Sequence, residues 1–139
     1  MRFLGLDFGS KTIGIAISSP DNRIALGLMT LRRNNEEAIR KNLGEIKAII
    51  RQYAITHIVL GLPIGMNGQH TAQTEKVLKF YEKLQRFFKN KKIMLQDERL
   101  SSVAVERVLH DKSKIDEMSA VYILQGFLDN QNRKGNEND

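Results

Sequence analysis

The sequence predicts an α/β fold built on a mixed five-stranded sheet, three antiparallel strands followed by two parallel ones, with helices on its faces. Three observations lead there: an opening of short apolar stretches separated by turn residues, a switch to helical spacing near Asn35, and a later alternation of helical segments with brief apolar runs. Residues 2–8 alternate around Phe3, Leu4, Leu6 and Phe8, and 13–17 form a second apolar run after Gly9-Ser10-Lys11-Thr12, the pattern of a hairpin. Ser19-Pro20-Asp21-Asn22 marks another turn, after which Ile24 to Leu31 supply a third strand. Ile39, Leu43, Ile46, Ile50 and Tyr53 then fall on one face of a helix. His57-Ile58-Val59-Leu60 reads as a buried strand ending at Gly61-Leu62-Pro63. Helical spacing returns over 71–89 through Val77, Tyr81, Leu84 and Phe88, Ile93-Met94-Leu95 is a short strand, and helical pattern resumes over 101–109 and 115–128. Strands separated by helices should pair in parallel, whereas the first three, joined by turns, should pair antiparallel.

The 139 residues, 41% hydrophobic and 27% charged with only two prolines, make one domain, expected over 1–130, followed by a polar tail at 131–139 expected to be disordered. The absence of cysteine excludes thiol nucleophiles, Cys-ligated zinc and iron–sulfur clusters, and three scattered histidines leave any metal to carboxylates. Apolar runs fall short of the roughly 20 residues of a membrane span, and the N-terminus has no signal-peptide core, so a cytoplasmic home without a membrane partner is expected. A net charge of +6 favours polyanions, nucleic acid foremost.

Acids stand where apolar elements end. Asp7 interrupts the first strand, Asp97 and Glu98 close the last, and Asp116 opens the final helix. At 100° per residue Asp116 shares its direction with Ala120, Ile123 and Phe127, although Glu117 lies within the same broad apolar arc. A carboxylate facing a core is costly unless it is paired or bound to a cation. Each acid also has a structural role open to it: a turn residue at Asp7, a helix N-terminus at Asp116, a surface pair at Glu98 with Arg99. Together, in a basic chain lacking other catalytic groups, they suit hard cations such as Mg²⁺, which prefer carboxylate oxygens and serve phosphodiester cleavage. Ser10, Lys11 and Thr12, between Gly9 and Gly14, could meet phosphate oxygens, and the loop Gly61 to Gly68 precedes a helix N-terminus without the spacing of a nucleotide-binding fingerprint. Arg86, Lys89, Lys91 and Lys92 are the densest positive run, either a nucleic-acid contact or a solvated helix end.

Four segments in order, Asp7-Phe8-Gly9-Ser10-Lys11-Thr12-Ile13-Gly14-Ile15-Ala16, Gly61-Leu62-Pro63 with Gly68, Asp97-Glu98-Arg99-Leu100-Ser101-Ser102, and Asp116 before Ala120-Val121-Tyr122-Ile123-Leu124-Gln125, together resemble the YqgF family, also called the RuvX or Holliday junction resolvase-like family. The resemblance covers nearly the whole chain. It implies an RNase H-like fold, a metal-dependent nuclease and a role in maturing pre-16S rRNA in ribosome biogenesis. Its three acids map to Asp7, Glu98 and Asp116, holding one or two Mg²⁺ or Mn²⁺ ions, with Asp97 an additional candidate. Lys11, Arg99, Lys89, Lys91 and Lys92 are the nucleic-acid-binding candidates, and structured RNA or branched DNA is the expected partner. Ser119 departs from a common alanine and Ser101-Ser102 from frequent threonines, without removing a charge. Two other functions compete: a four-way DNA junction resolvase, and a ribosome-assembly factor that binds without cleaving. The opening motif also resembles the first phosphate loop of the sugar kinase, actin and Hsp70 superfamily, but those proteins clasp ATP between two such domains, and this length supplies one.

Overall fold

Turn chemistry decides how the first three strands meet. The Gly9 N–H donates to the Thr12 carbonyl (2.8 Å), closing the connection between β1 (Phe3–Phe8) and β2 (Thr12–Ser18). Asn22, at φ 59°, donates its N–H to the Ser19 carbonyl (2.8 Å) in the turn that leads to β3 (Ala25–Arg32). The computed structural model describes residues 1–35, 38–65, 67–97 and 112–137. After β3 come helix α1 (Ile39–Gln52), β4 (His57–Leu62), α2 (Ala72–Phe87), β5 (Lys92–Asp97) and helix α3 (Lys112–Glu137). The helix expected over 101–109 lies outside the described residues.

The five strands form one sheet in the order β3-β2-β1-β4-β5, so β1 is central. It pairs antiparallel with β2 and parallel with β4, β2 pairs antiparallel with β3, and β4 pairs parallel with β5. This is the mixed sheet that the sequence predicts, because tight turns join the first three strands and helices join the rest. Pleating then sorts the side chains. Leu4, Leu6 and Phe8 join Ile13, Ile15, Ile58 and Leu60 on the face covered by Leu43 and Ile46 of α1 and by Val77, Phe80 and Leu84 of α2. Phe3, Ala16 and Val59 face the other way, under Ala120, Ile123, Leu124 and Leu128 of α3. Thr71 and Thr74 cap α2 reciprocally, each side chain meeting the other's backbone N–H (3.2 and 2.9 Å).

Helix α3 begins at Lys112 and continues to Glu137, so most of the segment 131–139, expected as a disordered tail, is helical. Its anchor is the β2–β3 turn. The Gln125 side chain accepts from the Ala25 N–H (2.9 Å) and donates to the Arg23 carbonyl (2.8 Å), and the Asn132 amide donates to the Asn22 carbonyl (3.3 Å). These polar contacts carry no apolar periodicity, which is why composition alone read the segment as a tail.

Helix α3 lies very close to β1 at Gly5. A Cβ there would fall 2.7 Å from Leu124 Cβ and 3.1 Å from the Ala120 carbonyl oxygen, atoms that cannot swing aside. Gly5→Ala is therefore expected to destabilise the fold by about 1–3 kcal/mol in urea unfolding, the usual cost of overpacking. Gly44→Ala, exposed on α1 with nothing near the added methyl, should stabilise by about 0.5–1 kcal/mol. Equal effects at the two positions would contradict the close approach of helix and strand.

Candidate active site

One pleat beyond Gly5, Asp7 projects from the central strand on the same face, toward the side that α3 covers. Its exposure is 4%. Directly across on β2 stands Gly14, and on β4 the position after the Leu6–Leu60 pair is Gly61. The carboxylate is thus flanked on both neighbouring strands by residues without side chains. Because β1, β4 and β5 run parallel, this row lies at their carboxyl ends, where open α/β sheets form ligand sites.

Helix α3 runs antiparallel to β1. Phe3 packs on Phe127 with ring centroids 5.5 Å apart, and Gly5 lies under Leu124 and Ala120, so the earlier turns of α3 extend in the direction of Asp7. Asp116 belongs to one of those turns, four residues before Ala120. The helix starts at Lys112, which places Asp116 beyond its first turn rather than at its opening. The dipole account of that acid weakens accordingly, since the effect fades within one turn.

Asp97 is exposed and ends β5 in the pleat phase of Ile93 and Leu95, which pack on the α1–α2 side. The structure does not bring Asp97 onto Asp7's face. Glu98 and Arg99 lie outside the described residues. Among the described residues, no three His, Cys, Asp or Glu side chains converge to hold a metal.

Lys11 is exposed at the β1–β2 turn, next to Asp7's end of the strand. Arg33, which the sequence reading did not single out, holds this turn in place. Its backbone N–H donates to the Lys11 carbonyl (2.9 Å), its guanidinium donates to the Gly9 carbonyl, and the guanidinium carbon sits 4.4 Å from the centre of the Phe8 ring. Nothing in the local sequence marks it, because its partners come from a strand 24 residues earlier. From the other side, the Gln73 amide of α2 donates to the Phe8 carbonyl (3.0 Å), and the Thr74 hydroxyl donates to the Pro63 carbonyl. Gly68 turns the 63–70 loop at φ 83° and donates to Gly65 (2.8 Å).

Lys89, Lys91 and Lys92 sit where β5 begins, in register with His57 at the start of β4. With five steps of about 3.3 Å to the far end of the strand, they stand roughly 17 Å along the sheet from Asp97. The structure does not bring them together with Asp7. Phe88 is buried beside them, whereas Phe87 is exposed.

A family model described as RuvX, Holliday junction resolvase, matches residues 1–130. The chain belongs to this family. It is 43% identical over 143 aligned residues, 96% of this chain and the whole of the relative, to a Thermoanaerobacter pseudethanolicus protein named "Putative pre-16S rRNA nuclease". A Clostridium botulinum protein of the same name is 44% identical, covering 93% of this chain and 97% of its own. Among solved structures, T. thermophilus RuvC in complex with a Holliday junction substrate matches with a TM-score of 0.56 at 10% identity, over 92% of this chain and 93% of that one. The fowlpox virus Holliday junction resolvase matches with a TM-score of 0.52 at 12% identity, over 94% and 99%. At such identities these likenesses establish the fold, which is RNase H-like.

A buried carboxylate oxygen at a sheet's carboxyl edge suits the hard-oxygen donor set of a divalent ion. Titrating Mn²⁺ into the protein should raise its melting temperature saturably, equivalent to about 2.7 kcal/mol at 100 times the dissociation constant. Asp7→Asn should remove most of that increment. A full increment in Asp7→Asn would show that Asp7 binds no metal.

Proposed function

We propose that the chain is a divalent-metal-dependent nuclease that hydrolyses phosphodiester bonds of structured nucleic acid, with the 5′ region of pre-16S rRNA as its substrate in the cytoplasm. The observation that carries this reading is the position of Asp7: a nearly buried carboxylate on the central strand, between two glycines, at the carboxyl edge of an RNase H-like sheet. Membership of the RuvX family and the names of its relatives support the chemistry and the substrate. The net charge of +6 suits a polyanion. Among the described residues, no helix is long and apolar enough to cross a membrane.

Asp7, Glu98 and Asp116 would hold Mg²⁺ or Mn²⁺. When bound, such an ion offsets charge at the scissile phosphate and eases ionisation of water. The chain's own residues do the rest. Burial holds the Asp7 carboxylate in place, between Gly14 and Gly61 of the neighbouring strands. Lys11, on the adjoining turn, and Arg99, next to Glu98 in the chain, contact phosphate oxygens. Glu98 ranks ahead of Asp97 as the second acid on the family resemblance of the Asp97-Glu98-Arg99 segment.

A second reading, resolution of four-way DNA junctions, is favoured by the family's description and by the junction-bound structure that shares the fold. Parallel cleavage of labelled pre-16S RNA and four-way DNA junctions, in Mn²⁺, Mg²⁺ or EDTA, separates the two. Metal-dependent cleavage of the RNA is expected, and cleavage of the junction alone would replace the substrate. Removing charge that organises the site should cost several kcal/mol, so Asp7→Asn should lower the rate at least about 100-fold. Glu98→Gln should be more damaging than Asp97→Asn, and the reverse order would assign the wrong acid of the pair.

A further inference from the structure

At the edge of the sheet where β4 and β5 begin, a cleft of about 590 Å³ opens between the last turns of α1 and α2. Its floor is apolar, from Ile50 and Ile55 on one side and Phe88 on the other, all buried. Its rim carries Lys47 and Arg51 of α1 and Lys89 and Lys91 of the turn between α2 and β5. Lys91 is half-buried and the other three cations are exposed. Phe87 stands among them, 44% exposed, its ring centroid 4.8 Å from that of Phe88 and the two planes 74° apart. The two adjacent phenylalanines therefore divide. Phe88 enters the core, and Phe87 stays in solvent, held by contact with its neighbour.

Backbone bonds close both helix ends beside the cleft. The Ile55 N–H donates to the Ile50 carbonyl (3.0 Å) around Ala54 at φ 53°, and the Phe88 N–H donates to the Leu84 carbonyl (2.8 Å). A helix C-terminus carries about half a negative charge, so two of them call for about one offsetting cation, a role that fits Arg51 in the last turn of α1. Four lining cations exceed that need and favour an anion. An acidic peptide would satisfy the charges alone. A single nucleic-acid strand uses both features, because each nucleotide joins a charged phosphate to a flat base that stacks on an aromatic ring. We infer that this cleft binds an unpaired stretch of the nucleic-acid substrate, with one base stacked on Phe87 and neighbouring phosphates on Arg51, Lys89 and Lys91. The inference rests on the nuclease reading for the nature of its ligand. The cleft stands about 17 Å along the strands from the carboxyl edge of the sheet, so the bound stretch flanks the bond that is cut.

The test is binding of a 5′-labelled single-stranded oligoribonucleotide by fluorescence anisotropy across a range of KCl concentrations, in EDTA so that nothing is cut. Phe87→Ala should weaken binding at least about fivefold with no change in the slope of log affinity against log salt, since it removes a stacking surface and no charge. Phe87→Tyr should bind as the wild type does. Lys89→Gln with Lys91→Gln should lower the slope by about 1, whereas a charge-matched control, Lys41→Gln with Lys134→Gln, should leave it unchanged. Wild-type affinity in Phe87→Ala, or equal slopes in the two double variants, overturns the cleft as a strand site. A labelled oligoglutamate peptide is the second probe: if the cleft variants lose the peptide while holding the oligoribonucleotide as wild type does, the ligand is an acidic protein segment and the inference fails. Wild-type cleavage with Mn²⁺, measured separately, keeps the two readings apart. Cleavage together with unaltered binding by the variants removes the cleft and retains the nuclease. Weakened binding by the variants with no cleavage by wild type retains the cleft and removes the nuclease.

Discussion

Helix α3 rests against strand β1 at a separation that only a residue without a side chain permits, and much of the molecule is arranged by that contact. Gly5 admits Ala120 and Leu124 on one face of the central strand. The opposite face is filled conventionally by Leu4, Leu6 and Phe8 beneath α1 and α2. The asymmetry matters for Asp7, two residues further on. Its carboxylate emerges on the tightly packed face at the point where the neighbouring strands offer Gly14 and Gly61. Burial fixes the acid's position.

Charge is distributed across the same strand. Acid stands on the α3 face, exposed Lys76, Lys79 and Lys83 stand on α2, and the turn at the end of β1 is held by Arg33 through the Gly9 and Lys11 carbonyls. The lysines at the start of β5 lie at the other end of the sheet and serve a different part of the surface.

Much of this was legible in the residues themselves. The switch from alternating to helical spacing located the strands and helices, and the turn residues at 9–12 and 19–22 foretold the antiparallel opening. The end of β5 was legible as well: it reaches Asp97, one of the acids expected to close it, because the ladder with β4 continues through the polar Gln96. The end of α3 was missed because side-chain bonds to the β2–β3 turn hold it, and such bonds leave no hydrophobic signature. Of the site, Asp7 was readable as an acid interrupting an apolar strand. Its flanking glycines became meaningful only once register placed them beside it. Arg33 was invisible because its role depends on partners distant in sequence.

If the contact at Gly5 sets the distance between α3 and Asp7, disturbing it should damage metal binding without touching any acid. Isothermal titration of Mn²⁺ into Gly5→Ala, at a temperature where the variant remains folded by circular dichroism, measures this directly. Displacing the helix should weaken Mn²⁺ affinity on the order of tenfold or more, the scale seen when the support of a metal ligand is disturbed. An affinity equal to that of the wild-type chain would contradict the account, since the helix would then have no part in forming the site.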